Sequence, residues 1–414
     1  MTMADEPRRR WTAVAVALVL LTAVTAGAAH CTSPDATAQR REGGGVPSRP
    51  AEEGARLPTP TSGRVVNALE VGAVGDGRAD DTSALQHALA GLSEGDALEL
   101  PAGHTFTHSR VLRLRTPGIT ITGGGTLLAT DERASALEVA ADRITVSRVT
   151  VATAHATQRW AAPEQSGIWL NGHSDITLTD ATVAGSGSAG VFVQGTQHFT
   201  LTRVTVRDTR SDGIHMTAGA RGGLVTDPLT ENTGDDGVAV VAYLSDGAQA
   251  GDIDIVAPHV HGQSHGRGVS VVGGRNVQIT DVDIRDSAGA GVYVACERGQ
   301  FRTYVPSDVS VRGGTIDAAN QDPTVDHGSL LVYNGQGLRA LHDVTMRNLR
   351  IHGTRASASW QVGLIADDDG PLHRITLDDL HFTGDGPARL LATNTDDLRY
   401  QATGWTENGE AVDE

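Results

Sequence analysis

The sequence predicts an all-β solenoid: a single-stranded parallel β-helix with an N-terminal helical cap. Three observations carry this. A short unit, Gly-aliphatic-x-aliphatic, starts at Gly167, Gly190, Gly213, Gly237, Gly268 and Gly291, at intervals of 23, 23, 24, 31 and 23 residues. Alternating segments such as Ile176-Thr177-Leu178, Phe199-Thr200-Leu201 and Val277-Gln278-Ile279 lie between these units. Glycine accounts for 50 of 414 residues while aromatics make up only 4%, which suits a turn-rich chain around a narrow interior. A period of this length with two or three short strands per turn stacks each coil on the last and buries one continuous aliphatic core. Leucine-rich repeats share the period, but their Leu-x-x-Leu-x-Leu frame is absent.

The N-terminus reads as a targeting segment. Arg8, Arg9 and Arg10 precede an apolar run from Trp11 to Ala29, the pattern of a signal peptide over residues 1–31 or of a retained anchor. Cys31 adds a lipidation alternative, which His30 disfavours. Residues 32–63 are rich in Pro, Gly, Glu and Arg and read as a disordered linker. The solenoid domain is expected over 64–414. Val65 to Val74 is strand-like, Gly75-Asp76-Gly77 is a turn, and Asp80-Asp81-Thr82 offers N-caps to a short helix carrying Leu85, Leu89 and Leu92. Such a helix is what covers the open end of a strand stack. Leu98-Glu99-Leu100 follows as a strand. Cys296 would be the one cysteine of the mature chain and reads as a small buried hydrophobe.

Charge narrows the function. The net charge of −17 lacks the basic footprint that nucleic acid requires. All 33 basic residues are arginine, which excludes a lysine base or Schiff base and fits a GC-rich bacterial genome. The expectation is a monomer, secreted or held at the cell envelope, that meets a membrane only through its N-terminal segment.

Aligning the coils on their glycines exposes a ledge. The residue before each glycine is Ser166, Ala189, Asp212, Asp236, Arg267 or Ala290. One place earlier stand Gln165, Ser188, Ser211, Asp235, Gly266 and Gly289. Coils rise by about 4.8 Å, so Asp212, Asp235, Asp236 and His265 should cluster. Carboxylates this close push their pKa values apart and supply an acid and a base for glycosidic hydrolysis. A separation of about 6.5–9.5 Å inverts configuration and about 5–5.5 Å retains it; Asp212 and Asp235, from different coils, fit the longer distance. Taken singly, each Asp also suits a turn.

Ser211-Asp212-Gly213-Ile214, Gly234-Asp235-Asp236-Gly237-Val238 and Ser264-His265-Gly266 resemble, in order and spacing, the Asn-Thr-Asp, Gly-Asp-Asp and Gly-His-Gly motifs of family 28 glycoside hydrolases. These are the polygalacturonase-like members of the pectin-lyase-like superfamily. Residues Gly72 to Thr82 separately resemble the cap of bacterial pectate-lyase-like β-helix proteins. The resemblance implies a right-handed β-helix and a glycosidase without cofactor or metal. It implies Asp235 as general acid, Asp212 and Asp236 as holders of the attacking water, and His265 as support for the acid. The family's fourth motif, Arg-Ile-Lys, falls on Tyr293-Val294-Ala295. The cations that would grip a uronate are therefore missing, and a neutral glycan is the expected substrate. Arg267, Arg298 and Arg302 are the arginines that could compensate. Arg210-Ser211 also replaces Asn-Thr.

The outward row two places after each glycine is Trp169, Phe192, His215, Ala239, Ser270 and Tyr293. Trp169, His215 and Tyr293, with Arg267, are candidate sugar contacts; the alternative is that loops cover the row. The long inserts Ala154–Ser166, Ala242–Gly251, Glu297–Ser307 and Ala318–His327 should wall a groove. His259, His261 and His265 read as surface histidines, because no carboxylate frame accompanies them in the sequence. A polysaccharide lyase on the same scaffold and a non-catalytic glycan-binding solenoid are the alternative functions.

Overall fold

The structure, a computed structural model, describes residues 63–337 and 339–412. The leader and linker readings therefore lie outside the described residues, Gly63 excepted. Parallel strands stack into two sheets of 23 and 11 strands. The smaller sheet carries the ledge. Its strands are β1 (Leu112–Leu114), β2 (Leu137–Val139), β3 (Ile168–Asn171), β4 (Val191–Gln194), β5 (Ile214–Thr217) and β6 (Val238–Val241). It continues as β7 (Val269–Val272), β8 (Val292–Cys296), β9 (Leu330–Asn334), β10 (Val362–Ala366) and β11 (Leu391–Thr393).

The register is the one the glycines predict. Ile168 pairs with Val191, then Ile214, Val238, Val269 and Val292 in unbroken sequence. Each coil adds two strands to the larger sheet, such as Ser174–Thr179 and Thr182–Ser186. From Arg275 these merge into single long strands, Arg275–Arg285, Ser307–Asp317 and Leu341–His352. Alternation turns Ile168, Leu170, Val191, Val193, Ile214, Met216, Val238 and Val240 into the interior, where all are fully buried. Each contributes about 1.5–3 kcal/mol of apolar burial, set against chain entropy.

Crowding explains the repeat glycine. A Cβ on Gly190 would stand 2.2 Å from Val206 Cγ1 and 2.8 Å from the Gly213 carbonyl oxygen. The glycine excess thus reflects close approach of coils as well as turns.

The N-terminal segment departs from expectation in two places. Only Val65–Asn67 is strand; Ala68–Val71 is a 3-10 turn, begun by the Asn67 side chain accepting from Leu69 N and ended by Gly72 at φ 95°. Asp76 and Gly77, expected in a turn with Gly75, instead open the strand Asp76–Asp80, which pairs with Thr105–His108. The one α-helix among the described residues, α1 (Thr82–Ala90), follows. Asp80 caps it by accepting from Thr82 N at 2.9 Å, while the Asp81 carboxylate turns to Val74 N and Gly75 N. Leu85 and Leu89 are buried in the core. Gln86 donates to the Arg113 carbonyl at 3.1 Å and accepts from Arg113 N at 2.9 Å, on the outermost strand β1. Cys296 is buried, and burial pushes its thiol up to about 11.

Candidate active site

The stacked ledge brings the three aspartates together. Asp212 ends the turn into β5, and Asp235-Asp236 ends the turn into β6. Gly213 N donates to the Asp236 carbonyl and Gly237 N to the Arg267 carbonyl, both at 2.9 Å, so successive ledges are hydrogen-bonded rungs. One oxygen from each of Asp212, Asp235 and Asp236 lies within 4.8 Å of the others. The closest oxygens of Asp212 and Asp235 lie within 4.8 Å, so the two carboxyls face each other across adjoining rungs.

Each carboxylate has a different setting. Asp212 accepts from Asp236 N at 3.0 Å through one oxygen and pairs with His215 Nδ1 through the other. Asp236 accepts from Arg267 N at 2.8 Å and from the Ser270 hydroxyl, with the Arg267 guanidinium at 3.4 Å. Asp235 instead meets Arg159 at 2.7 Å, and its side chain stays 24% exposed against 6% for Asp236. Asp235 is therefore the carboxyl of this pair that faces outward. Burial first, then the Asp212 charge, raises its pKa, with Arg159 and Arg267 opposing. Burial pushes Asp236 up to about 7 despite Arg267.

Several expected contacts are not made. His265 is exposed and donates from Nδ1 to its neighbour's carbonyl on Ser264, so it does not support Asp235. The contact falls to Gly266, at φ +77°, where a Cβ would stand 2.4 Å from Asp235 Oδ1 and 2.6 Å from Asp236 N. Trp169 is no open sugar platform: it is buried with Val111 and Ala136, and its Nε1 donates to Gln194 at 3.0 Å. Tyr293 is 3% exposed, with the Arg267 guanidinium 4.0 Å above its ring and His327 stacked at 5.8 Å. His215 is buried between Phe192, stacked at 5.2 Å, and Tyr243. It positions Asp212 rather than meeting solvent. Arg267 is likewise spent inside the protein, on Asp236 and on Glu297 at 2.8 Å. Arg298 is paired with Asp367 and Asp368. The outward row is covered because strand alternation fixes which side a residue faces, not what lies over it.

Each of the four inserts sends a side chain to the ledge that the sequence did not single out. These are Arg159 on Asp235, Tyr243 beside His215, Glu297 on Arg267 and His327 on Tyr293. Burial, then the Arg267 charge, pushes His327 down to about 3, so it is neutral there. The available signal was position: all four lie in the long inserts after Thr153, Val241, Cys296 and Asp317.

Residues 100–250 match the family described as the right-handed beta helix region. Solved structures of the same architecture superpose over most of the chain. The fold is a right-handed parallel β-helix. One similar β-helix is the catalytic domain of a glycoside hydrolase family 87 α-1,3-glucanase bound to nigerose (16% identity, 86% of this chain and 69% of that one, TM-score 0.62). That domain is also known bound to tetrasaccharides as two variants, each with one of two consecutive aspartates changed to alanine. Another is an exopolygalacturonase from Thermotoga maritima (13%, 86% and 94%, TM-score 0.58). A third is a mannuronan C-5 epimerase A-module from Azotobacter vinelandii (15%, 84% and 100%, TM-score 0.53). At these identities the likeness is one of fold. No curated protein matches the sequence.

Proposed function

We propose that this β-helix is an exported glycoside hydrolase that cleaves a polysaccharide, a neutral glycan rather than polygalacturonate. The observation that carries the reading is the meeting of Asp212, Asp235 and Asp236, from two coils, with oxygens within 4.8 Å. Asp235 is the proton donor. It faces outward, and burial with the Asp212 charge favours its protonated form. Its proton goes to the glycosidic oxygen as the bond to the anomeric carbon breaks. Asp212 and Asp236 are fixed by His215, Arg267, Ser270 and backbone amides. They orient a water and take its proton as its oxygen bonds to the anomeric carbon. Consecutive aspartates were also the residues changed in the sugar-bound glucanase structures.

The substrate preference rests on charge. Tyr293 and Ala295 are buried where the polygalacturonase pattern has cations, and Arg267 is already neutralised. The test is incubation of the protein with α-1,3-glucan, other neutral glycans and polygalacturonate, with reducing ends measured against Asp235→Asn. No product from any glycan, with binding retained, would favour a non-catalytic binder. Arg159, 44% exposed, favours a second reading as a uronate lyase. Its mark would be an unsaturated product absorbing in the ultraviolet.

A further inference from the structure

We infer that His259, His261 and Asp283 form a binding site for one divalent transition-metal ion of the zinc class, on the larger sheet and apart from the carboxylate ledge. His259 and His261 flank the inward Val260 on the strand His259–His261, so both rings stand on the outer face. Asp283 is paired with His259 on the next coil, between the buried Val282 and Ile284. His259 Nδ1 lies 3.1 Å and His261 Nε2 lies 3.5 Å from the same oxygen, Asp283 Oδ2. The three donor atoms are within 4.8 Å of one another.

The 3.1 Å and 3.5 Å spacings match a tetrahedral centre. Bonds of about 2.0–2.1 Å place neighbouring ligand atoms about 3.3 Å apart. His261 Nε2 is shielded from solvent and has no hydrogen bond, which leaves its lone pair free to ligate. Two imidazoles with one carboxylate suit zinc-class ions, whereas calcium and magnesium take oxygen. Arg285 fixes the Asp283 carboxylate, donating from Nε to Oδ1 and from Nη2 to the ligating Oδ2, each at 3.0 Å; ligating carboxylates are commonly hydrogen-bonded in turn. The surface-histidine reading of His259 and His261 is thereby revised. Their carboxylate was hidden in the sequence because it lies one coil later, adjacent only after stacking. The ion would join two coils and act as a staple.

The test uses the untagged full chain after chelator treatment, titrated with zinc chloride by calorimetry. One equivalent should bind at this site, and zinc should raise the melting temperature while calcium does not. The His259→Ala/His261→Ala variant should lose that equivalent and the thermal shift. His261→Gln, kept for the case in which the double variant fails to fold, should weaken binding by roughly tenfold or more. Cobalt in place of zinc should give the intense visible absorption of a four-coordinate centre. No saturable zinc binding, or the same stoichiometry and affinity in the variants, would overturn the site and place any ion elsewhere.

Discussion

The Arg159 guanidinium lies 2.7 Å from the Asp235 carboxylate, although its loop precedes the Gly167 coil and Asp235 precedes the Gly237 coil. The loop is pinned along its length. Thr157 is held by the Glu132 carboxylate, and Arg210 donates to the Ala156 carbonyl at 2.7 Å. Arg210, which departs from the polygalacturonase pattern, thus helps to seat the cation that meets the acid.

Replacing Asp235 by Asn should lower kcat by about 10²–10⁴-fold, the usual worth of a general acid. A glycoside whose leaving group needs no proton should recover part of that loss. Asp212→Asn should show no such recovery. Equal losses on both substrates for both variants would undo the division of roles.

Arg159→Gln should shift the pH profile. The donor works only while protonated, so activity falls as pH rises through its pKa. Arg159 lowers that pKa, so its removal should move the alkaline limb of kcat upward. A limb that stays in place would mean that Arg159 does not tune the acid.

Asp236 links stability to pH. Its folded pKa, about 7, exceeds the ordinary 3.8. The folded state therefore holds this proton more tightly, and the contribution to stability is lost as pH rises through that interval. Asp236→Asn should flatten the fall in melting temperature over the same interval.

Two glycine substitutions should separate packing from chemistry. Gly190→Ala forces a Cβ onto Val206 and the next coil's backbone, costing about 1–3 kcal/mol in unfolding with kcat little changed. Gly266→Ala presses on Asp235 and Asp236 from a left-handed backbone. It should cost about 1–3 kcal/mol and should also lower kcat, by roughly tenfold or more, as the acid is displaced.

Polygalacturonate should be cleaved with kcat/KM more than about tenfold below the best neutral glycan, since each missing charge-assisted bond is worth about 1.5–3 kcal/mol. Introducing the cations of the polygalacturonase pattern as Tyr293→Arg with Ala295→Lys should not rescue it. Both positions are buried and Arg267 already lies over Tyr293, so the added charge should cost about 3–5 kcal/mol of stability. Denaturant unfolding alongside kinetics on the two substrates decides the point.

What could be read in the sequence followed from periodicity. Once the glycines were aligned, strand spacing alone put Asp212, Asp235 and Asp236 on neighbouring rungs, and their observed pairing follows that register. What escaped depended on the third dimension. Nothing local distinguishes Arg159 from other loop arginines, and the burial of Trp169 by Val111 and Ala136, like that of Tyr293 by Arg267 and His327, depends on residues from other coils. His265 fits its motif in spelling, yet the left-handed turn at Gly266 brings backbone rather than imidazole to the acid.

The two bonds from Gln86 to Arg113 bear on solubility. They occupy the N–H and C=O of Arg113, at the middle of an edge strand that would otherwise template another chain. A fragment starting after Leu92 would expose that rung together with the leucines beneath α1. Such fragments should join end to end into filaments, so truncation studies of this solenoid should retain its first helix.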